Sequence, residues 1–413
     1  MKNKFCCVSL VLTVLLMWAV GMAAALEHSD AHGGASAASS AGDACLQAAW
    51  MWNVLVIPPR GGWETEAGKA ISTALSWHEA EISESGSGAG GHDVQFDLLP
   101  PMDEDSALRA PLPIDDKTAA VMSFAGSDVD RVLVTRMAGT DVPLLLSGGE
   151  EVLFDEGKGP ARNIFALDLY RDYRCAAFAL YAAKTVPSEA HVALIASRFA
   201  VNQEREAKIT YGLLDEAGFM PLPFWVDASM RNTFDMVSQE IESSADGVMI
   251  SFLGSMGARE IWRSFMRLNT KWKLWNCAFP DETYLSSRGM IFADQNIFLT
   301  ERGDFSELKH RIWNTRAMHI VDTVSAGRAE ALTEWLKRGI ESLPQPVDVL
   351  DHSALLRALE TVQGIPFGAQ TLDIVPETHR PRARQVYIAE VRSGAYVLLD
   401  SLPVTGLVYV PID

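Results

Sequence analysis

The sequence predicts an α/β protein of two lobes, each built on a parallel central sheet. Three observations predict it. Between residues 53 and 147, short apolar runs alternate with helix-length segments, the signature of βα units around a sheet buried on both faces. From 163 to 279 the same alternation recurs over a comparable length. The remaining tail offers helix and strand to both halves, which requires the chain to cross between them several times.

In the first half the order is NVLVIPPRGG, KAISTALSWHEAEI, HDVQFDLLP, AAVMSFAGSD and DVPLLLSGGE. Each apolar run ends in Gly, Ser, Pro or Asp, at what would be the carboxyl edge of the sheet. That edge is where open α/β sheets bind ligands. In the second half, residues 163–167 form a short strand, 171–185 a helix, and HVALIAS at 191–197 the clearest strand of the chain. The helical KITYGLLDEAG closes at Gly218 and leads into MPLPFWV. FDMVSQEIESS is helical, DGVMISFLG is a strand ending in a glycine loop, REIWRSFMRLN is amphipathic, and WKLWNCAF is a further strand. The tail contributes a strand at 290–299, helices around 306–325, 328–341 and 352–362, and a hairpin, QVYIAEVRSGAYVLLD, turning through Arg392, Ser393 and Gly394.

The amino terminus reads differently. Lys2 and Lys4 precede an apolar run over 5–20 that ends in small residues to Ala25, a secretory signal expected to be removed after Ala25. A retained membrane anchor is the other reading of a run this long. Residues 26–49 form a flexible leader in which His28, Asp30 and His32 are a solvated tract rather than a metal site. The formal charge of −18 becomes −20 without Lys2 and Lys4, and no basic stripe offsets it, so nucleic acid is excluded as a partner. Cys6 and Cys7 leave with the signal, and Cys45, Cys175 and Cys277 can supply at most one disulfide.

No motif points to an enzyme. PPRGG is not a dinucleotide fingerprint, and P-loop, nucleophile-elbow and zincin patterns are absent. His78, His92 and His191 have no ligand spacing, so neither a metal nor a cofactor is expected. Trp225, Trp262, Trp272, Trp275, Trp313 and Trp335 are numerous enough for some to line a cleft, though packing between helix and sheet accounts for most.

AAVMSFAGSD, VPLLLSGGE, NIFALDLYRDYRCAAFALYAAK, VALIASRFAVNQEREAKITYGLLDEAGF, DGVMISFLG and GIPFGAQTLDIVPETHRPRARQVYIAEVRSG occur in an order and spacing that resembles the leucine/isoleucine/valine-binding type of periplasmic solute-binding protein. The resemblance covers residues 50–400. It implies two Rossmann-like lobes with parallel central sheets joined by a three-crossing hinge, the type I periplasmic binding protein fold. Lobe 1 would take 50–165 and 300–375, and lobe 2 would take 166–299 and 376–413.

In that family a small solute lies in the interlobe cleft and is passed to the membrane permease of an ABC importer. The resemblance therefore implies a monomeric, extracytoplasmic binding protein without catalysis. A ligand sensor or accessory protein of an oxidoreductase system, and a hydrolase assembled from distant residues, are the alternatives.

Carried onto this chain, the family's site places Ser127 against an anionic or hydrogen-bond-accepting end of the ligand. Ser147, Gly149, Glu150 and Glu151 fall in the next loop. A glycine-rich turn that opens a helix also suits an anion on its own account, although SGGE could simply cap that helix. In the second lobe the aromatic expected after the VALIAS strand is replaced by Ala200, Val201 and Asn202, while Phe252 and Leu253 make an apolar wall. Asp281 and Glu282 lie near the family's partner for a ligand ammonium. The α-amino-acid pocket is half preserved, which implies a different small solute.

Overall fold

The computed structural model describes residues 51–84, 88–148, 161–167, 172–187, 189–226, 230–243, 246–277, 284, 286–294, 323–344, 350–367, 370–382 and 384–403. The expected signal and leader, with Cys45, and also Trp313 and most of the helix expected near 306–325 lie outside them.

The first sheet is wholly parallel, in the order β2-β1-β3-β4-β5, from β1 (Met51–Ile57), β2 (Asp93–Leu98), β3 (Thr118–Ser123), β4 (Leu144–Leu146) and β5 (Ile164–Ala166). Every residue of β3 and β4 is buried, as a strand covered on both faces must be. Alternate residues of β1 divide between two cores. Val54 and Val56 pack under α1 (Glu66–Glu84), whereas Leu55 and Ile57 join the side chains of α2 (Glu104–Arg109) and α3 (Ser127–Met137).

Gly68 explains how α1 can start so close to the turn after β1. A Cβ there would lie 2.4 Å from the Gly62 carbonyl oxygen, so only glycine fits without moving backbone.

The second sheet has the order β15-β14-β10-β9-β8-β6-β7. Its parallel part comprises β6 (His191–Ser197), β7 (Leu222–Val226), β8 (Gly247–Ser251), β9 (Lys273–Asn276) and β10 (Ile291–Asp294). One face is covered by α4 (Asp172–Thr185) and α5 (Val201–Glu216), the other by α6 (Met230–Ser243) and α7 (Ser255–Leu268). In β6, Val192, Leu194 and Ala196 face the first pair, while Ala193 and Ile195 face the second.

The tail serves both sheets. α8 (Thr323–Glu341) and α9 (His352–Leu359) cover the first sheet through Leu332, Trp335, Leu336, Leu355 and Leu359, and the Trp335 indole donates to the Leu359 carbonyl at 3.0 Å. α8 begins earlier than the expected 328, running through Gly327. Burial of Ala326 and Ala329 offsets a glycine penalty of about 1 kcal/mol.

A small antiparallel sheet of β11 (Ile365–Phe367), β12 (Gln370–Val375) and β13 (Arg380–Arg382) follows, absent from the sequence reading. β14 (Gln385–Arg392) and β15 (Ala395–Pro403) then add antiparallel strands to the second sheet. Their turn is Ser393-Gly394, both with positive φ (52° and 78°), which matches the twist of the strands it joins.

The described chain thus passes from the first sheet to the second after β5, back at α8, and across again between β13 and β14. The β12–β13 turn stays with the first sheet. Ala166 donates to the His379 carbonyl at 3.1 Å, and the His379 ring stacks on Phe165 at 4.6 Å.

Candidate functional site

Parallel strands bring the turns that follow them to one edge of a sheet. β3 and β4 are neighbours, and the residue that follows β4 is tied to the last residue of β3: the Ser147 N–H donates to the Ser123 carbonyl at 2.9 Å. On either side, Phe124 donates to Ile57 and Leu167 donates to Leu146. The turns after β1, β3 and β4 are therefore held in register by the sheet itself.

The turn after β3 has an internal brace. The Ser123 hydroxyl lies 2.5 Å from Asp130 Oδ1 and accepts from the Ala125 N–H at 3.3 Å. Burial pushes the Asp130 carboxyl up to about 7, and hydrogen bonds from the Ser123 hydroxyl and the Gly126 backbone only partly counter it. Gly126, at φ +98°, starts α3 and carries no side chain to cap it, so the first-turn N–H groups have no side-chain partner from that position.

Ser127 is the first residue of α3. Ser147 is buried at the end of β4. Beside it, Gly148 faces a cation that sequence reasoning missed. A Cβ on Gly148 would lie 3.6 Å from Arg328 Nη1, on the first part of α8. Nothing in the pattern of the helix around 328 distinguishes this arginine from a solvated one; only the fold brings it to the turn.

At the second sheet, Phe252 donates to the Ile195 carbonyl and Cys277 to the Ser251 carbonyl, so these strand ends are also laced together. The consecutive side chains Phe252 (3% exposed) and Leu253 (4%) go to opposite faces, one under α4 and α5 and the other under α7. Asn202 lies in the first turn of α5. The turn before it presents Phe199, 76% exposed, and stacks the Arg198 guanidinium on Trp225 at 5.2 Å. Phe199 is thus an aromatic side chain at the strand end where the sequence reading found only Ala200, Val201 and Asn202. Gly149, Glu150, Glu151, Asp281 and Glu282 lie outside the described residues.

The tryptophans behave mainly as core: Trp272, Trp275 and Trp335 are buried, and the half-buried Trp262 donates to the Arg288 carbonyl at 3.1 Å. Two cavities of about 240 and 330 Å³ adjoin the second sheet, one apolar beneath Tyr211 and Trp225, the other beside Lys273, Arg288 and Arg392. Trp225 lines the first and Trp262 and Trp272 the second, but neither is lined by Ser127, Ser147, Asn202, Phe252 or Leu253. Among the described residues no His/Cys/Asp/Glu group is placed to hold a metal ion, and no helix is long and apolar enough to cross a membrane.

Two α/β lobes with three connecting passages define the fold of the type I periplasmic solute-binding proteins of ABC transporters, and solved structures similar to this chain are of that class. Three illustrate it. A solute-binding protein from Rhodopseudomonas palustris in complex with 3,4-dihydroxybenzoic acid is 15% identical, with a TM-score of 0.64 over 86% of this chain and 98% of its own. A leucine-binding protein from Thermotoga maritima is 11% identical, with a TM-score of 0.66 over 86% and 100%. A fatty acid ABC transporter substrate-binding protein from Thermomonospora curvata is 12% identical, with a TM-score of 0.64 over 88% and 95%. At these identities the likeness establishes the fold. No protein-family model matches the sequence, and no curated protein matches it significantly.

Proposed function

We propose that this chain is an exported solute-binding protein that captures a small organic solute between its lobes and delivers it to the membrane permease of an ABC importer. The solute carries an anionic or strongly accepting end held by the first lobe, through Ser127, Ser147 and backbone N–H groups around Gly149. The observation that carries this reading is the adjacent strand ends of β3 and β4, tied by the Ser147–Ser123 bond, next to the start of α3 without a side-chain cap and with Arg328 beside Gly148. The three neighbours' names support it, since dihydroxybenzoic acid, leucine and fatty acids all bear a carboxylate. Phe199 and Asn202, with Asp281, are the second lobe's candidates for the remainder of the solute; the expected apolar wall of Phe252 and Leu253 is replaced by Phe199, because those two side chains are buried on opposite faces of the sheet under its helices.

The test is titration calorimetry on the wild type and Ser127→Ala, with the solute identified by mass spectrometry of material retained through purification. Loss of the hydroxyl should cost about 1–3 kcal/mol, roughly 5- to 150-fold in Kd, if it leaves a buried acceptor unpaired. Equal affinities with an intact fold would exclude Ser127 as an anchor and move the site toward the second lobe.

A further inference from the structure

Of the cysteines that outlast the signal, two lie in the second lobe's core and on different elements. Cys175 is in the first turn of α4 and Cys277 directly follows β9; both are buried, in one apolar cluster. Both are free thiols in the structure, and Phe178, one turn on from Cys175, stacks on Trp275, two residues before Cys277, at 5.3 Å, which puts the two cysteines on one face at the same end of the helix–strand pair. Beside them the buried pair Arg174–Glu206, at 3.4 Å, fixes α4 against α5. The Cys277 backbone N–H is itself bonded to Ser251, so the second thiol is held by the sheet and not by a loose segment.

We infer that Cys175 and Cys277 form a disulfide when the chain folds under oxidising conditions, tying the start of α4 to the strand end of β9. The reaction needs an external disulfide, either of a small thiol or of an oxidoreductase. One cysteine thiolate attacks a sulfur of that disulfide and expels the first thiolate. The partner cysteine, deprotonated, attacks the mixed disulfide and expels the second. The oxidant's disulfide is reduced to two thiols, which take up the two protons and two electrons given up by Cys175 and Cys277.

Burial pushes the Cys277 thiol well above its ordinary range, so exchange is slow once the core has closed and the bond is made during folding. The closed loop runs from α4 through β9, most of the second lobe's parallel sheet. A loop of that length strongly restricts the unfolded chain. Cys45, in the leader, is left as the odd thiol.

The experiment uses the full mature chain, reduced and unfolded, then refolded in parallel in a glutathione redox buffer and in excess reductant. Under oxidising refolding the protein should lose the mass of two hydrogens, take one alkyl label under denaturing conditions, and yield a cross-linked peptide containing Cys175 and Cys277. Its thermal midpoint should fall on adding reductant, and the Cys175→Ser/Cys277→Ser double variant should show no such response. Alkylation of both Cys175 and Cys277 after oxidising refolding would overturn the pairing. So would a cross-linked peptide that joins either of them to Cys45.

Discussion

Replacing Asp130 with asparagine should change the pH dependence of stability more than stability itself. The carboxyl sits near 7 in the folded chain because it is buried, against an ordinary value of 3.8. Between those values the folded chain keeps a proton that the unfolded chain has released, so stability falls as pH rises. The contribution is whole below about pH 4, is lost through the window up to about pH 7, and changes no further above it. A shift of about three units at 1.36 kcal/mol each amounts to about 4 kcal/mol across that window.

The amide that replaces the carboxyl cannot titrate yet can still bond Ser123, so Asp130→Asn removes the slope and leaves the brace. Urea unfolding of both proteins at several pH values, with calorimetric scans to show whether the lobes unfold together, measures the difference. The variant should gain on the wild type by about 4 kcal/mol between about pH 4 and pH 8. Parallel curves would refute the reasoning, because they would mean that Asp130 is already ionised in the folded state across the range.

Three further outcomes follow from other parts of the structure. Glu206→Ala leaves the Arg174 guanidinium buried without its carboxylate and should destabilise the second lobe by about 3–5 kcal/mol in chemical denaturation; a loss under about 1 kcal/mol would show that water reaches the site. Three chain passages allow the lobes to shift between open and closed populations, so small-angle scattering should give a smaller radius with saturating solute, and an unchanged profile would exclude closure. Amino-terminal sequencing of protein from the extracytoplasmic fraction should begin near Leu26, whereas an intact Met1 on protein that stays with washed membranes would establish an anchor.

The sequence showed the sheets more readily than the site, for physical reasons. A parallel strand buried on both faces is a run of apolar residues, so HVALIAS and DGVMIS stand out and correspond to β6 and β8. β11 does not stand out. Only Ile365 and Phe367 of its three residues are buried, with an exposed proline between them, and its support comes from a core shared with α8 and α9. Helix boundaries near glycine were equally obscure, because α8 continues through Gly327 on the strength of contacts far away in sequence. The positions of Ser127 and Ser147 at strand ends could be read because their loops follow strands in order. Arg328 and Phe199 could not, the first because its proximity to Gly148 is purely tertiary, the second because a single residue decides whether an aromatic belongs to a strand-end turn.

A chain with a formal charge of −18 must, on the proposed function, hold an anionic group without help from its net field. The local arrangement suits that task better than the total charge does. The first turn of α3 holds two acidic residues, the exposed Asp128 and the buried Asp130; burial keeps Asp130 largely neutral below about pH 7, so it braces Ser123 and Gly126 while adding little repulsion. Opposite Gly148, Arg328 brings a permanent positive charge to the end of β4. An anion bound at this turn would in its turn oppose ionisation of Asp130 and raise its pKa further. Binding and proton retention therefore favour one another, and affinity should weaken as pH rises above 7.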